Sequence, residues 1–171
     1  MVAVNSGAPF AARQHEVRDR LTLSPMTAED AAWAGAMCAA IDPWLSYPFN
    51  ERELTAFFAT LEPGAPRFMV RASGQPAGAL AVRANWFRGP YVHMLVVAPA
   101  FQGRGLGTLL LDWVEAQARA VGERNLWIAV TETNMGARRL YERFGFAAVA
   151  TLDGLVRDDR VEILMRKRLG Q

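Results

Sequence analysis

Three sets of residues in this 171-residue chain have types and spacing that could do chemistry. The first is Gln102-Gly103-Arg104-Gly105-Leu106-Gly107-Thr108, which opens onto Leu106, Leu109, Leu110, Trp113 and Val114. Those apolar positions follow i, i+3, i+4, i+7, i+8, the spacing of one helix face. Glycines at a helix start let backbone N–H groups approach a ligand with no Cβ in the way. The same N–H groups lack intrahelical partners and sit at the positive end of the dipole, so the turn suits phosphate or pyrophosphate. It is not a P-loop, because Gly-Lys-Ser/Thr is missing, and Thr108 stands where G-x-G-x-x-G needs its third glycine. The second is His93, whose imidazole titrates near neutrality, where a general base is most useful; an acidic limb is expected within about a unit of 6.5. The third is Asn134, able to cap a helix whose apolar side carries Ala137, Leu140, Tyr141 and Phe144 before Gly145 closes it.

These groups need a strand and two helices to position them. Tyr91–Val97 has the β-branched and aromatic content of a buried strand, and Ala98-Pro99-Ala100 stops it. His93 lies two residues before Leu95, so strict alternation puts both on one side. The long helix ends at Val121-Gly122, and Leu126–Val130 forms the next strand. Upstream, Leu21–Leu23 reads as a first strand. Thr27-x-x-Asp30 resembles a capping box ahead of an alanine-rich helix to about Ile41. Asn50-x-x-Glu53 starts a second helix, with Leu54, Phe57, Phe58 and Leu61 at helical spacing. Arg67–Ala72 and Ala77–Ala84 form a hairpin through Ser73–Pro76, and Phe146–Leu152 and Val161–Leu169 are the last strands. Residues 1–18 read as a loosely ordered extension and 19–171 as one domain without repeat or linker. The order β-α-α-β-β-β-α-β-α-β-β predicts an α/β fold, a mixed sheet of about seven strands with about four helices on its two faces.

Composition narrows the function. A net charge of +2 with scattered arginines argues against nucleic acid as a partner. No apolar run is long enough to span a membrane, and residues 1–20 lack a signal-peptide core, so a cytoplasmic address is expected. The single cysteine, Cys38, falls in an apolar stretch and reads as a core thiol; no disulfide framework or metal-spaced Cys/His set exists.

Val97-x-Pro99-x-x-Gln102-Gly103-x-Gly105-x-Gly107 resembles the acetyl-CoA pyrophosphate loop of the GNAT acetyltransferase superfamily. Asn134–Phe146 resembles its second signature, N-x-x-A-x-x-L-Y-x-x-x-G-F, at the family's separation and in its order. The likeness covers roughly residues 20–169, with Tyr91–Phe146 its specific part. It implies two splayed strands with the pantetheine arm of acetyl-CoA in the gap, held by the backbone of Leu95, Val96 and Val97. Gln102, Gly103, Arg104, Gly105, Leu106, Gly107 and Thr108 would hold the pyrophosphate, and Asn134 would reach the pantetheine amides. The Leu95 N–H would polarise the acetyl carbonyl. Tyr141 matches the family's general acid, which protonates the departing thiolate.

Two subfamilies are similar in part. Tyr91-Val92-His93-Met94-Leu95 resembles the H-x-H-x-L strand of arylalkylamine N-acetyltransferases, with Tyr91 in place of the first histidine. Leu126–Val130 with Asn134 resembles the ribosomal-protein-alanine N-acetyltransferases, but Ala129 stands where those carry a glutamate base. The expected function is transfer of acetyl from acetyl-CoA to a primary amine, directly within a ternary complex. Cys38 lies far from both signatures, which leaves no evident ping-pong nucleophile. The acceptor would be a small-molecule amine or a peptide N-terminus, with no metal, no nucleic acid and no membrane, in a monomer or homodimer. An N-terminal protein acetyltransferase and a non-catalytic acyl-CoA-binding sensor or partner-binding domain are the alternatives. In such a fold Asp42–Phe49 and Asp153–Arg160 would select the acceptor. Trp44, Tyr47 and Phe49 would line an apolar pocket with Asp42 meeting an ammonium, or else these residues only pack a proline-rich corner.

Overall fold

Each of the first two helices begins at a reciprocal cap. Before α1 (Ala28–Ala39), Thr27 Oγ1 accepts from the Asp30 N–H at 3.1 Å and the Asp30 carboxylate accepts from the Thr27 N–H at 3.2 Å. Before α2 (Glu51–Ala59), Asn50 and Glu53 make the same exchange at 3.0 and 2.9 Å. Both boxes satisfy donors that a helix start otherwise leaves orphaned. α2 stops at Ala59, because Thr60 takes an extended backbone towards Pro63-Gly64. Leu61, expected on its apolar face, is therefore outside the helix and 92 % exposed.

The computed structural model describes residues 8–18 and 20–170. Its strands are β1 (His15–Glu16), β2 (Leu21–Pro25), β3 (Arg67–Ala72), β4 (Gln75–Trp86), β5 (Gly89–Val97), β6 (Asn125–Thr131), β7 (Ala147–Asp153) and β8 (Val161–Arg168). They form one mixed sheet in the order β1-β2-β3-β4-β5-β6-β8-β7, one strand more than the expected seven or so. β5 and β6 pair in parallel, so the chain must cross over between them, and α3 (Leu106–Ala120) makes the crossover. α4 (Met135–Phe144) follows β6. No helix among the described residues is long and apolar enough to cross a membrane.

The sheet is buried on two faces. Leu80, Val82, Val92 and Ile128 pack with Leu110, Leu111 and Val114 of α3 and Tyr141 of α4. Ala79, Ala81, Met94 and Val96 pack instead with Ala31, Ala34 and Cys38 of α1 and Leu54 and Phe58 of α2.

The extension expected at 1–18 needs correction where it is described. Residues 1–7 and 19 lie outside the described residues, but β1 pairs with β2. The Phe10 and His15 rings meet Trp113 edge-on at 5.7 and 5.0 Å, and Phe10 is buried. A lone aromatic in a polar stretch has no periodicity to reveal that the first face of the core needs it.

Candidate active site

β5 and β6 are bonded only over Tyr91–Trp127 and Val92–Ile128. Beyond that point β6 stays with β8 and β5 with β4, so the sheet opens into a gap. The Ala98 N–H donates to Ala77 O at 2.8 Å, which fixes Ala98 towards the β4 side. By alternation, the N–H and C=O of Val97 and Leu95 point into the gap. One carbonyl there is already engaged: Gln102 Nε2 donates to Val97 O at 3.0 Å.

The loop after β5 supplies the second wall. Gly103 and Gly105 adopt φ of +73° and +79°, the left-handed region that glycine enters without a Cβ penalty. A Cβ at either would meet nothing within 4 Å, so the backbone faces open space. Gly105 is the N-cap of α3, and among the described residues no side chain caps that helix. The free N–H groups of its first turn make a ready anion site. Gly107 differs: a Cβ there would come 2.9 Å from Leu140 Cδ2, so its bareness lets α3 pack on α4.

One cavity of about 1170 Å³ joins these parts. It is lined by Leu95, Val96 and Val97 of β5, by Gln102, Gly103, Gly105, Leu106, Gly107 and Thr108, and by Asn134 and Tyr141 with His93. Arg104 is the exception among the expected site residues: it is exposed, with its guanidinium 5.6 Å from the Phe101 ring centroid. Asn134 caps α4, its Oδ1 accepting from the Ala137 N–H at 3.1 Å, which leaves its amide NH₂ as the unused half. Tyr141 is 6 % exposed, and among the described residues its hydroxyl has no hydrogen-bond partner. Burial, with Tyr91 adding to it, pushes its phenol pKa well above the ordinary value, so it holds its proton at neutral pH.

His93 is not on the side of Leu95. The register slips between Ala81 and Val82, with Ala81 opposite Met94 and Val82 opposite Val92, leaving His93 as the extra residue of a β-bulge. Val92 and Leu95 consequently face α3, while Met94 faces α1 and α2. His93 lies with this second set, its ring 4.9 Å from Phe57 of α2 and 5.7 Å from Tyr91. Desolvation in the cavity wall, then the positive charges of Arg83 and Arg67, push its pKa down to about 4, with Glu62 opposing. The expected limb near 6.5 is thus displaced. Arg67 lies over the Phe57 ring at 4.6 Å, and Arg83 pairs with Glu62 at 2.9 Å, which places both cations behind the imidazole.

The two loops expected to choose the acceptor do line the cavity. Asp42, Trp44, Tyr47 and Phe49 come from one, Leu155 and Val156 from the other. They are also tied together: Arg157 Nη1 donates to Ser46 O at 2.7 Å. The Tyr47 hydroxyl donates to Glu162 Oε1 at 2.5 Å. Asp42 is exposed and accepts from the Ser46 hydroxyl. Glu162, on β8, was not among the expected residues. It is 5 % exposed and on the cavity wall. Burial lifts its carboxyl pKa above the ordinary value, against the lowering effects of the Tyr47 bond and of Arg160. The signal available in the sequence was a lone carboxylate inside the apolar run Val161–Met165. Among the described residues no group of three or more His, Cys, Asp or Glu is placed to hold a metal.

Comparison with known proteins adds independent findings. The chain is 33 % identical over 98 residues to an uncharacterized N-acetyltransferase of Methanocaldococcus jannaschii, covering 53 % of this chain and 42 % of that protein. It is 37 % identical over 79 residues to a streptothricin acetyltransferase of Streptomyces lavendulae, covering 46 % of this chain and 42 % of that one. The matched region thus spans less than half the length of either relative. In fold it is similar to the ribosomal-protein-S18-alanine N-acetyltransferase from Escherichia coli, with a TM-score of 0.70 and 20 % identity over 88 % of this chain and 95 % of the other. The model of the Acetyltransferase (GNAT) family matches residues 29–146, which hold the splayed strands, the glycine turn and both helices beside it. By that match over more than half its length, the chain belongs to the GNAT acetyltransferase family.

Proposed function

We propose that the protein is a cytoplasmic N-acetyltransferase that moves the acetyl group of acetyl-CoA to a primary amine by direct transfer in a ternary complex. One observation carries the reading: a single cavity joins the uncapped start of α3, the unpaired edge of β5 and an aromatic pocket on the opposite face of the sheet. The acetyltransferase domain in this reading is 19–171, with 8–18 packed onto it.

The residues present fit acetyl-CoA. The open backbone at Gly103 and Gly105 and the first-turn N–H groups suit the pyrophosphate. Leu95 and Val97 offer main-chain groups to the amides of the pantetheine arm, and the Leu95 N–H suits a developing oxyanion. The amine must lose one proton before attack. As its nitrogen bonds to the carbonyl carbon, the C–S bond breaks; the thiolate takes a proton from Tyr141, which lines the cavity, and the second proton lost by the nitrogen restores the phenol. His93, on the acceptor face, passes the amine's proton on rather than storing it, because a base with a conjugate-acid pKa of about 4 does not hold a proton at neutral pH. Cys38 is fully buried and its thiol pKa is pushed up to about 12, which argues against an acetyl-cysteine intermediate.

The test is release of free thiol from acetyl-CoA across a panel of small amines, amino acids, polyamines, aminoglycosides and N-terminal peptides. Amine-dependent release without a pre-steady-state burst is expected. A burst with acetylated protein would overturn direct transfer, and tight acetyl-CoA binding without turnover would favour a sensor.

A further inference from the structure

We infer that Glu162, held by Tyr47, is the docking group for the acceptor's ammonium, and that the apolar walls around it select a singly charged amine on an apolar body. The inference rests on the acetyltransferase reading above and names the substrate class of that same site.

The argument starts from what Glu162 lacks. Glu162 as a residue is only 5 % exposed, yet among the described residues no lysine, arginine or histidine lies within ion-pair distance of its carboxylate. The charge of Arg160 reaches Glu162 through space, but its Nη1 bonds to Thr133 Oγ1 at 3.5 Å rather than to the carboxylate. Its cross-strand neighbour on β6, Thr131, is also buried. One hydroxyl, that of Tyr47, satisfies one lone pair of a group with about four acceptor sites. The remaining acceptor sites are left to the cavity that Glu162 lines, and a primary ammonium brings three donors to meet them.

The surroundings decide which ammonium. Trp44, Tyr47, Phe49, Phe57, Leu155 and Val156 line the same cavity as Glu162, so much of the surface offered to the body attached to the nitrogen is carbon. The other carboxylates on the cavity wall are poor hosts for a second positive charge. Asp42 is exposed and already takes the Ser46 hydroxyl, and Glu53 is committed to the Asn50 N–H of the α2 cap. A polyamine would leave its further charges against aromatic rings. A free amino acid would bring its own carboxylate beside Glu162, where like charges repel in a poorly solvated site.

The experiment compares hexylamine, benzylamine, phenylalanine and spermidine as acceptors at saturating acetyl-CoA, with wild type, Glu162→Gln and Tyr47→Phe. The two monoamines should exceed phenylalanine and spermidine in kcat/KM by about tenfold or more. Glu162→Gln should raise the monoamine KM by about tenfold or more, with KM for acetyl-CoA unchanged. Tyr47→Phe, which keeps the ring, should raise it less and stands in for Glu162→Gln if that variant does not fold. Benzylamine binding without acetyl-CoA, read from tryptophan fluorescence with Trp44 in the wall, should weaken in parallel. Glu162-dependent benzylamine binding with no acetylation of any amine would uphold the subsite and sink the acetyltransferase reading. Acetylation with unchanged acceptor KM in both variants, or preferred use of spermidine, would overturn the subsite and leave that reading standing. Absence of any amine binding would overturn it too.

Discussion

The two ends of the cavity are built on different principles. The end proposed for acetyl-CoA, the donor end, consists of backbone: the edge of β5 from Leu95 to Val97 that no strand pairs, and the first turn of α3 behind two left-handed glycines. The end proposed for the amine, the acceptor end, consists of side chains brought from far apart, with Tyr47 reaching Glu162 across 115 positions and Arg157 reaching Ser46 across 111. Backbone recognition demands particular residues, because only glycine relieves both the φ and the space requirement. Side-chain recognition tolerates any sequence that delivers the right group to the right place. The donor end should therefore fail sharply under single substitutions, and the acceptor end should fail by changes in preference.

The largest effect should come where the two ends meet. Tyr141→Phe keeps the buried ring and should leave acetyl-CoA affinity intact while lowering kcat by about 10²–10⁴-fold. Steady-state rates beside calorimetric Kd values check this. A kcat within a few-fold of wild type would remove Tyr141 from proton transfer and leave it a core residue.

The next largest sharpens the donor side. Gly105→Val places a side chain between the N–H groups and the pyrophosphate; losing two charge-assisted hydrogen bonds weakens CoA binding by about a hundredfold or more. The sequence alone suggests an undisturbed fold, but the φ of +79° adds strain of about 1–2 kcal/mol for a branched side chain, so the melting temperature should fall as well. Gly105→Asn separates the two effects, since asparagine tolerates that conformation. It should melt close to wild type and still bind CoA weakly. Wild-type affinity in Gly105→Asn would refute the loop's role.

The smallest concerns His93 and its pH dependence. Its pKa is depressed from 6.5 to about 4, so between those values the unfolded chain binds more protons than the folded one. His93 therefore costs stability as pH falls through that window, and stability rises again with pH up to about 6.5. Any kinetic limb due to His93 should lie near pH 4, leaving kcat/KM free of a histidine limb at 6–7. Profiles with two amines of different basicity, for wild type and His93→Gln, decide the matter. A limb near 6.5 that is independent of the amine and vanishes in His93→Gln would show a solvated imidazole, contrary to its place against Phe57 and the arginines.

Much of the fold was legible because it obeys local rules. Thr27-x-x-Asp30 and Asn50-x-x-Glu53 cap helices that begin where they indicate, and Gly145, with φ of +102°, closes α4. The misreadings have non-local causes. Phe10 looked unplaced because its partner, Trp113, lies a hundred residues away. His93 was assigned to the wrong face because alternation assumes an unbroken register, and a bulge is set by how β5 fits β4 rather than by either strand alone.

The sequence by itself determined the order of strands and helices from β2 onward, the glycine turn ahead of α3, the strand that borders it, and the tyrosine on α4 with the asparagine that caps it. Each is encoded within a few consecutive residues through φ, capping or periodicity. Tertiary structure alone decided where β5 and β6 part, and which face His93 occupies. It also decided that Arg104 stays off the cavity wall and that Glu162 is the largely buried acidic residue beside the Asp42–Phe49 loop. Those outcomes depend on the packing of strands and loops remote in sequence, where burial and charge compensation become defined only once the chain has closed on itself.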